Sequence, residues 1–308
     1  MTTGVVVMAY GTPATPDDVE AFYTDIRHGN PPSPVQLGDL ERRYDAIGGV
    51  SPLAERTTAQ VESLQRALEV SSPGHYLVRY GAKHSTPKIE QSVNALADDN
   101  VDAIVGIVLA PHYSAMSVGE YVSRARAQAS ARDVPSGFVE RWGANPTLIG
   151  VLSERTLEAI RSIDRSVGDV EVIFTAHSLP ARILDEGDPY AGELTETAAL
   201  VAEAAELVRW RTGWQSAGRT SDEWLGPDIL DELTNLAAEG AKSVVVCPAG
   251  FTSDHLEVCY DLDIEAKQRA EELGLAFART ASLNDDARIA AALARLVVAA
   301  DPKPSRAT

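Results

Sequence analysis

Ser243-Val244-Val245-Val246-Cys247-Pro248-Ala249-Gly250-Phe251-Thr252-Ser253-Asp254-His255-Leu256-Glu257 runs from a β-branched apolar strand, through a turn bearing Pro and Gly, into an amphipathic helix. An unbroken apolar run suits a strand covered on both faces, and strand–turn–helix is the repeating unit of a parallel sheet flanked by helices. The helix, expected over Asp254–Leu273, carries Asp254, Glu257, Asp261 and Glu265. In an α-helix this spacing puts all four carboxylates on one face. A charge stripe of that kind is ordinarily a solvated face. Here the first lysine or arginine after Asp254 is Lys267, so most of these acids have no i,i+4 basic partner. The stripe also follows directly on a strand end, where open α/β sheets build their sites. A second strand ends in Phe174-Thr175-Ala176-His177-Ser178-Leu179-Pro180. One imidazole together with a row of carboxylates suits a divalent cation.

Outward from these two segments, short β-branched runs alternate with longer amphipathic stretches. Strands are expected at Gly4–Ala9, His75–Tyr80, Ala103–Leu109, Gly137–Arg141, Val170–Thr175, Ser243–Cys247 and Leu275–Arg279. Helices are expected at Pro16–Arg27, Leu53–Val70, Pro87–Ala97, Tyr121–Ala129, Thr147–Ser162, Tyr190–Val208, Asp228–Glu239, Asp254–Leu273 and Asp286–Ala299. Gly143-Ala144-Asn145-Pro146 interrupts the pattern near its middle, which predicts domains at 1–146 and 147–308, with the last helix packing back on the first. The halves echo each other. Strand ends lead into Met8-Ala9-Tyr10-Gly11-Thr12-Pro13 and Leu109-Ala110-Pro111-His112-Tyr113-Ser114 in one, and into Thr175–Pro180 and Cys247–Thr252 in the other.

With 308 residues, 44% of them hydrophobic, the chain can bury one large core or two moderate ones. Two cysteines give no disulfide framework and cannot supply the four ligands that an iron–sulfur cluster generally takes from one chain, so no cluster is expected. The start has no basic region ahead of its apolar run, and no apolar run reaches the roughly 18 to 20 residues of a membrane span, so a cytoplasmic protein is expected. A formal charge of −18 argues against nucleic acid and anionic lipid as partners. Arg27, Arg42, Arg43, Lys83 and Lys88 nevertheless concentrate basic groups in the first hundred positions, where an anionic small molecule could bind.

Several segments resemble the signature stretches of ferrochelatases. They are Met8–Pro13, Arg43-Tyr44-Asp45-Ala46-Ile47-Gly48-Gly49-Val50-Ser51-Pro52-Leu53, Ala176–Pro180, Gly187-Asp188-Pro189-Tyr190, Trp214-Gln215-Ser216, Trp224-Leu225-Gly226-Pro227 and Asp254-His255-Leu256-Glu257-Val258. They occur in family order from residue 4 to about residue 270. The tyrosine of the first and the compact chain are similar to the branch of Gram-positive-type bacteria that acts on coproporphyrin III. The resemblance implies two Rossmann-like α/β domains, each a parallel sheet flanked by helices, with a porphyrin cleft between them. It also implies insertion of Fe²⁺ into coproporphyrin III in haem biosynthesis by a monomer with no tightly bound cofactor, and a transient haem-pathway enzyme as partner.

By the same resemblance His177 and Glu257 bind the incoming iron and take the pyrrole protons. Neutral imidazole and carboxylate both accept protons near pH 7, so either could be the general base. Asp261 and Glu265 would form an outer ion site or a delivery track. Tyr10 would approach the porphyrin metal, and Arg27, Arg43, Tyr44, Ser51 and Tyr121 would contact the macrocycle and its propionates, guanidinium matching carboxylate through its fork. Lys83 and His84 precede the helix opened by Pro87 and could reach the cleft, though His84 also reads as a residue near a helix start. Trp214, Trp224 and Cys247 read as wall or core. His255 and Cys259, each two positions from Glu257 and so about 200° round an α-helix, are expected to face away from it. Protoporphyrin IX as substrate, a sirohydrochlorin chelatase on the same kind of domain, and a non-catalytic tetrapyrrole carrier are the alternatives.

Overall fold

In the computed structural model, which describes residues 2–163, 169–218 and 220–302, the strands form two all-parallel sheets of four. The first sheet contains β1 (Thr3–Ala9), β2 (Tyr76–Ala82), β3 (Ala103–Val108) and β4 (Ser136–Val139), in the order β2-β1-β3-β4. The second contains β5 (Glu171–His177), β6 (Trp210–Gln215), β7 (Ser243–Cys247) and β8 (Ala276–Arg279), in the order β6-β5-β7-β8. The two orders are the same: the first strand of each half lies beside the third, with the second and fourth outside them. The echo in the sequence therefore has a topological basis. Met8–Pro13 follows β1 as Thr175–Pro180 ends β5, and Leu109–Ser114 follows β3 as Cys247–Thr252 follows β7.

Residues Met1–Arg141 with Asn284–Thr308 make one compact unit, and Trp142–Leu283 the other. Residues 303–308 of the C-terminal stretch lie outside the described residues. In the first unit, Val5, Val6, Val7 and Met8 of β1 are fully buried; α3 (Leu53–Ser71), α4 (Ile89–Asp98) and α5 (Val118–Ala131) pack on this sheet, and α1 (Val19–Ile26) packs against α2 (Pro34–Ala46). Helix α11 (Ala287–Ala300) packs on α3 and β4 within that unit. In the second unit, α6 (Pro146–Ser162), α8 (Tyr190–Ala204), α9 (Ile229–Ala238) and α10 (Lys267–Glu272) flank the sheet, and the short α7 (Arg182–Asp185) follows β5. Its core gathers Ile173, Leu233, Val244, Val246, Val258 and Leu262. Asn145 caps α6, accepting a hydrogen bond from the Thr147 amide, and Pro146 opens the first turn where no amide is needed.

Three elements go beyond the sequence expectation: α7, which is a single turn of four residues, strand β6 and helix α2. Strand β6, Trp-Arg-Thr-Gly-Trp-Gln, has no β-branched run, and it lies at a sheet edge where covering both faces is not required. Helix α2 is polar over most of its surface. Its local signal is the start, Ser33-Pro34-Val35-Gln36, in which Ser33 and Gln36 exchange capping hydrogen bonds. Among the described residues no helix is long and apolar enough to cross a membrane.

Candidate active site

In a sheet ordered β6-β5-β7-β8, the chain leaves β5 toward one edge and β7 toward the other, so the carboxyl ends of these neighbours flank a topological switch point. His177 is the last residue of β5, and Glu257 lies just beyond the turn that follows β7. Gly250 lets that turn close in. Its amide donates to the Thr175 carbonyl at 2.9 Å, and a Cβ at this position would lie 2.4 Å from the Ala176 Cβ. The result is that His177 Nε2 stands 3.4 Å from Glu257 Oε1, with the two side chains 36% and 32% exposed. At that separation the pair is an ion pair rather than a tight hydrogen bond.

Both ring nitrogens of His177 face oxygen acceptors. Nδ1–H donates to the Ser178 carbonyl and Nε2 points at the carboxylate, an arrangement that favours a proton on each nitrogen. Desolvation of the ring works against its charge, but Glu257 and the Ser178 carbonyl outweigh it and push the pKa up to about 9. For Glu257, desolvation works against ionisation, and the imidazoles of His177 and His255 overcome it, holding the carboxyl well below the usual carboxylate range. The resting pair is thus a carboxylate beside an imidazolium.

The acidic row does not form as the spacing predicts. Regular helix begins only at Leu256, and Val258–Ala266 is π-helical, with i→i+5 rather than i→i+4 bonding. The α-helical step of 100° therefore fails across the stripe. Of the four acids, Glu257 faces His177. Asp254 turns away to Arg279 at 3.3 Å and Ser282 at 2.7 Å. Asp261 is buried and accepts from the Ser216 hydroxyl, and Glu265 is partly exposed. Among the described residues no three His, Cys, Asp or Glu gather as a metal-holding group.

The expectation for His255 is also corrected. It precedes the helix, so no helical rotation applies, and its Nε2 lies 3.4 Å from Glu257 Oε2. Its Nδ1–H donates to the Ser253 carbonyl at 3.1 Å, and its ring packs on Phe251 with centroids 4.9 Å apart. Glu257 is thus flanked by an imidazole on each oxygen. Cys247 is fully buried; burial raises the thiol pKa of both Cys247 and Cys259 to about 11.

Two further residues hold the pair from behind, and a third holds Asp261. The Tyr190 hydroxyl donates to the His177 carbonyl at 3.0 Å, and its ring packs on Trp214. The fully buried Gln215 accepts from the Thr175 hydroxyl at 2.9 Å and donates to the Glu257 carbonyl at 3.3 Å. Ser216, with φ of 61°, takes a left-handed backbone that aims its hydroxyl at Asp261. The motifs containing Tyr190, Gln215 and Ser216 are legible in the sequence. Their roles are not, because each acts on a partner dozens of positions away or on a main-chain atom.

The sequence pattern of the ferrochelatase family matches residues 2–301. The chain belongs to the ferrochelatase family. A ferrochelatase of Herpetosiphon aurantiacus is 43% identical over 288 residues, 92% of this chain and 94% of that protein. A coproporphyrin III ferrochelatase of Anoxybacillus flavithermus is 43% identical over 299 residues, 96% of this chain and 95% of that one. Among solved structures, the sirohydrochlorin chelatase SirB from Bacillus subtilis subspecies spizizenii in complex with cobalt matches with a TM-score of 0.60 at 10% identity, over 99% of this chain and 97% of that chain. At so low an identity the likeness speaks for the chelatase fold alone.

The residues singled out in the first unit of this ferrochelatase fall into two groups. Tyr10, directly after β1, is 43% exposed, and its ring stands edge-on to His84 at 4.7 Å and to Phe22 at 6.2 Å. The turn needs Gly11, whose φ is +90° and where a Cβ would meet Ser85 Oγ at 2.3 Å. His84 is fixed by its Nδ1–H to Asp25 at 2.8 Å, and Asp25 in turn pairs with Lys88 at 2.7 Å. Lys83 lies over the ring of the buried Tyr121 at 5.3 Å, and burial pushes that phenol well above its ordinary pKa. His84, readable from sequence as a helix-start residue, is a direct neighbour of Tyr10. The second group lies on or beside α1 to α3 with local partners. Arg27 Nε donates to the Asn30 carbonyl at 3.2 Å, Arg43 lies 3.6 Å from Asp39, Ser51 accepts from the Leu53 amide at 3.2 Å, and Tyr44 and Ser51 are buried.

Proposed function

We propose that this ferrochelatase inserts Fe²⁺ into coproporphyrin III, with His177 and Glu257 binding the incoming ion and accepting the two pyrrole protons. The observation that carries the assignment is the His177 Nε2–Glu257 Oε1 separation of 3.4 Å at the switch point of the second sheet. Imidazole and carboxylate are ligands that Fe²⁺ accepts, and two of them make a hold loose enough to release the ion to four pyrrole nitrogens. The reaction balances as one Fe²⁺ entering and two protons leaving. An imidazolium at rest gives its proton to solvent as iron binds, and once the ion passes to the pyrrole nitrogens the vacated imidazole nitrogen and carboxylate are the proton acceptors in reach. Asp261, the proposed outer acid, accepts from Ser216, the neighbour of the Gln215 that holds the Glu257 carbonyl.

In the first unit Tyr10 faces the macrocycle and the forks of Arg27 and Arg43 take propionates. Coproporphyrin, with four carboxylates, rewards those contacts more than a dicarboxylate porphyrin, and relatives named coproporphyrin III ferrochelatase support the same choice. The test is anaerobic Fe²⁺ insertion into coproporphyrin III and protoporphyrin IX, followed by visible absorption. The native protein is expected to show the higher kcat/KM with coproporphyrin, and His177→Ala and Glu257→Gln to lose insertion. A higher kcat/KM with protoporphyrin IX refutes the substrate. Retained insertion in both variants refutes the residues.

A further inference from the structure

Arg279 closes β8, the edge strand of the second sheet, and its guanidinium reaches the segment that carries Glu257. Its side chain is only 15% exposed. Nε donates to Asp263 Oδ1 at 2.7 Å and Nη2 to Asp263 Oδ2 at 2.8 Å, a forked pair. Nη1 lies 3.3 Å from Asp254 Oδ1 and donates to the Thr280 carbonyl at 3.0 Å. Ser282 completes the ring by donating to Asp254 Oδ1 at 2.7 Å. One side chain therefore grips the peptide on both sides of Glu257, at Asp254 before the helix and at Asp263 within its π-helical part.

Such a grip answers a physical need. A π-helical stretch is rare and is held by its surroundings rather than by its own hydrogen-bond geometry. Glu257 must nevertheless keep its carboxylate against His177. We infer that Arg279 is a positioning residue that fixes Glu257 in this place and thereby sets the affinity of the site for a divalent cation, an inference that rests on reading His177 and Glu257 as the ion's ligands. The planar fork is what allows one cation to satisfy two carboxylates at once. Lysine, a point charge on a flexible stem, restores the charge without the geometry.

The experiment uses the full chain, Arg279→Lys, and Asp263→Asn as a second variant whose side chain is 42% exposed and so least disturbs folding. Amide hydrogen exchange over residues 255–266 is expected to accelerate about tenfold in both variants, with β5 and β7 unchanged. Co²⁺ affinity, read by titration of its visible absorption, is expected to fall at least fivefold, and KM for Fe²⁺ to rise while KM for porphyrin stays constant. Unchanged exchange overturns the clamp. Faster exchange with native Co²⁺ affinity overturns the positioning role and leaves a structural clasp. Co²⁺ binding by the otherwise native protein that is indifferent to His177→Ala is a separate outcome: it overturns the ligand reading, and this inference with it.

Discussion

Replacing Glu257 by glutamine keeps the shape of the side chain and removes its charge, which isolates what the carboxylate does to His177. At 3.4 Å, two unit charges interact by about 5 kcal/mol at an effective dielectric of 20 and by about 1.2 kcal/mol in bulk water. Both side chains are about one-third exposed, so screening places the working value toward the lower end, about 1 to 2.5 kcal/mol, or about 1 to 2 pKa units. The His177 pKa is therefore expected to fall from about 9 to about 7 to 8 in Glu257→Gln. The assay is an NMR pH titration of the imidazole Cε1–H signals, assigned with His177→Asn; only six histidines contribute, so the spectrum can be resolved. A shift under about 0.3 units, or an upward one, would refute the argument that the carboxylate holds that proton. The same titration bears on catalysis. If the proton must leave before the ion binds, kcat/KM for Fe²⁺ rises with pH toward 9 in the native protein and levels off earlier in the variant.

Further outcomes test other parts of the molecule. The raised His177 pKa contributes stability that is complete below its unfolded value of 6.5 and is lost as pH rises through about 9. The lowered Glu257 pKa contributes above its unfolded value of 4.5 and is lost as pH falls through its depressed folded value. The stability difference between native protein and a His177→Asn, Glu257→Gln double variant, from urea unfolding, should thus be greatest between pH 4.5 and 6.5. His112, 2% exposed, has its pKa lowered by burial to about 3. The unfolded chain takes up its proton first, so this residue removes about 1.4 kcal/mol of stability per pH unit between about 6.5 and 3, and a His112→Asn variant should have a shallower acid limb. Gly250→Ala puts a methyl 2.4 Å from Ala176 Cβ; a loss of about 1 to 3 kcal/mol by denaturant titration is expected, with weakened iron insertion. Gln215→Leu strips partners from Thr175 and the Glu257 carbonyl; about 1 to 3 kcal/mol and a rise in KM for Fe²⁺ should follow.

What the sequence by itself determined is whatever local chemistry controls. The buried strands announce themselves as β-branched runs, the loops at strand ends carry Pro and Gly, and so the placing of His177 at a strand end and Glu257 just past another was legible. The repetition of two strand-end loops per half pointed to two similar halves, and the shared strand order was visible only in the structure. Strand β6 escaped because an edge strand can be built from Trp, Arg and Gly without an apolar run. Tertiary structure alone decided which acids face which bases. The acids from Asp254 to Glu265 look equivalent under an α-helical period, but a late helix start and a π-helical course send them to different partners: Glu257 to His177 and His255, Asp261 to Ser216, and Asp254, with Asp263, to Arg279. Arg279 lies 16 residues from Asp263 and enters from the sheet edge, a distance over which residue spacing carries no directional information. Helical period and turn chemistry are properties of neighbouring residues; the direction of a charge at a strand end is set by what the other strands bring beside it.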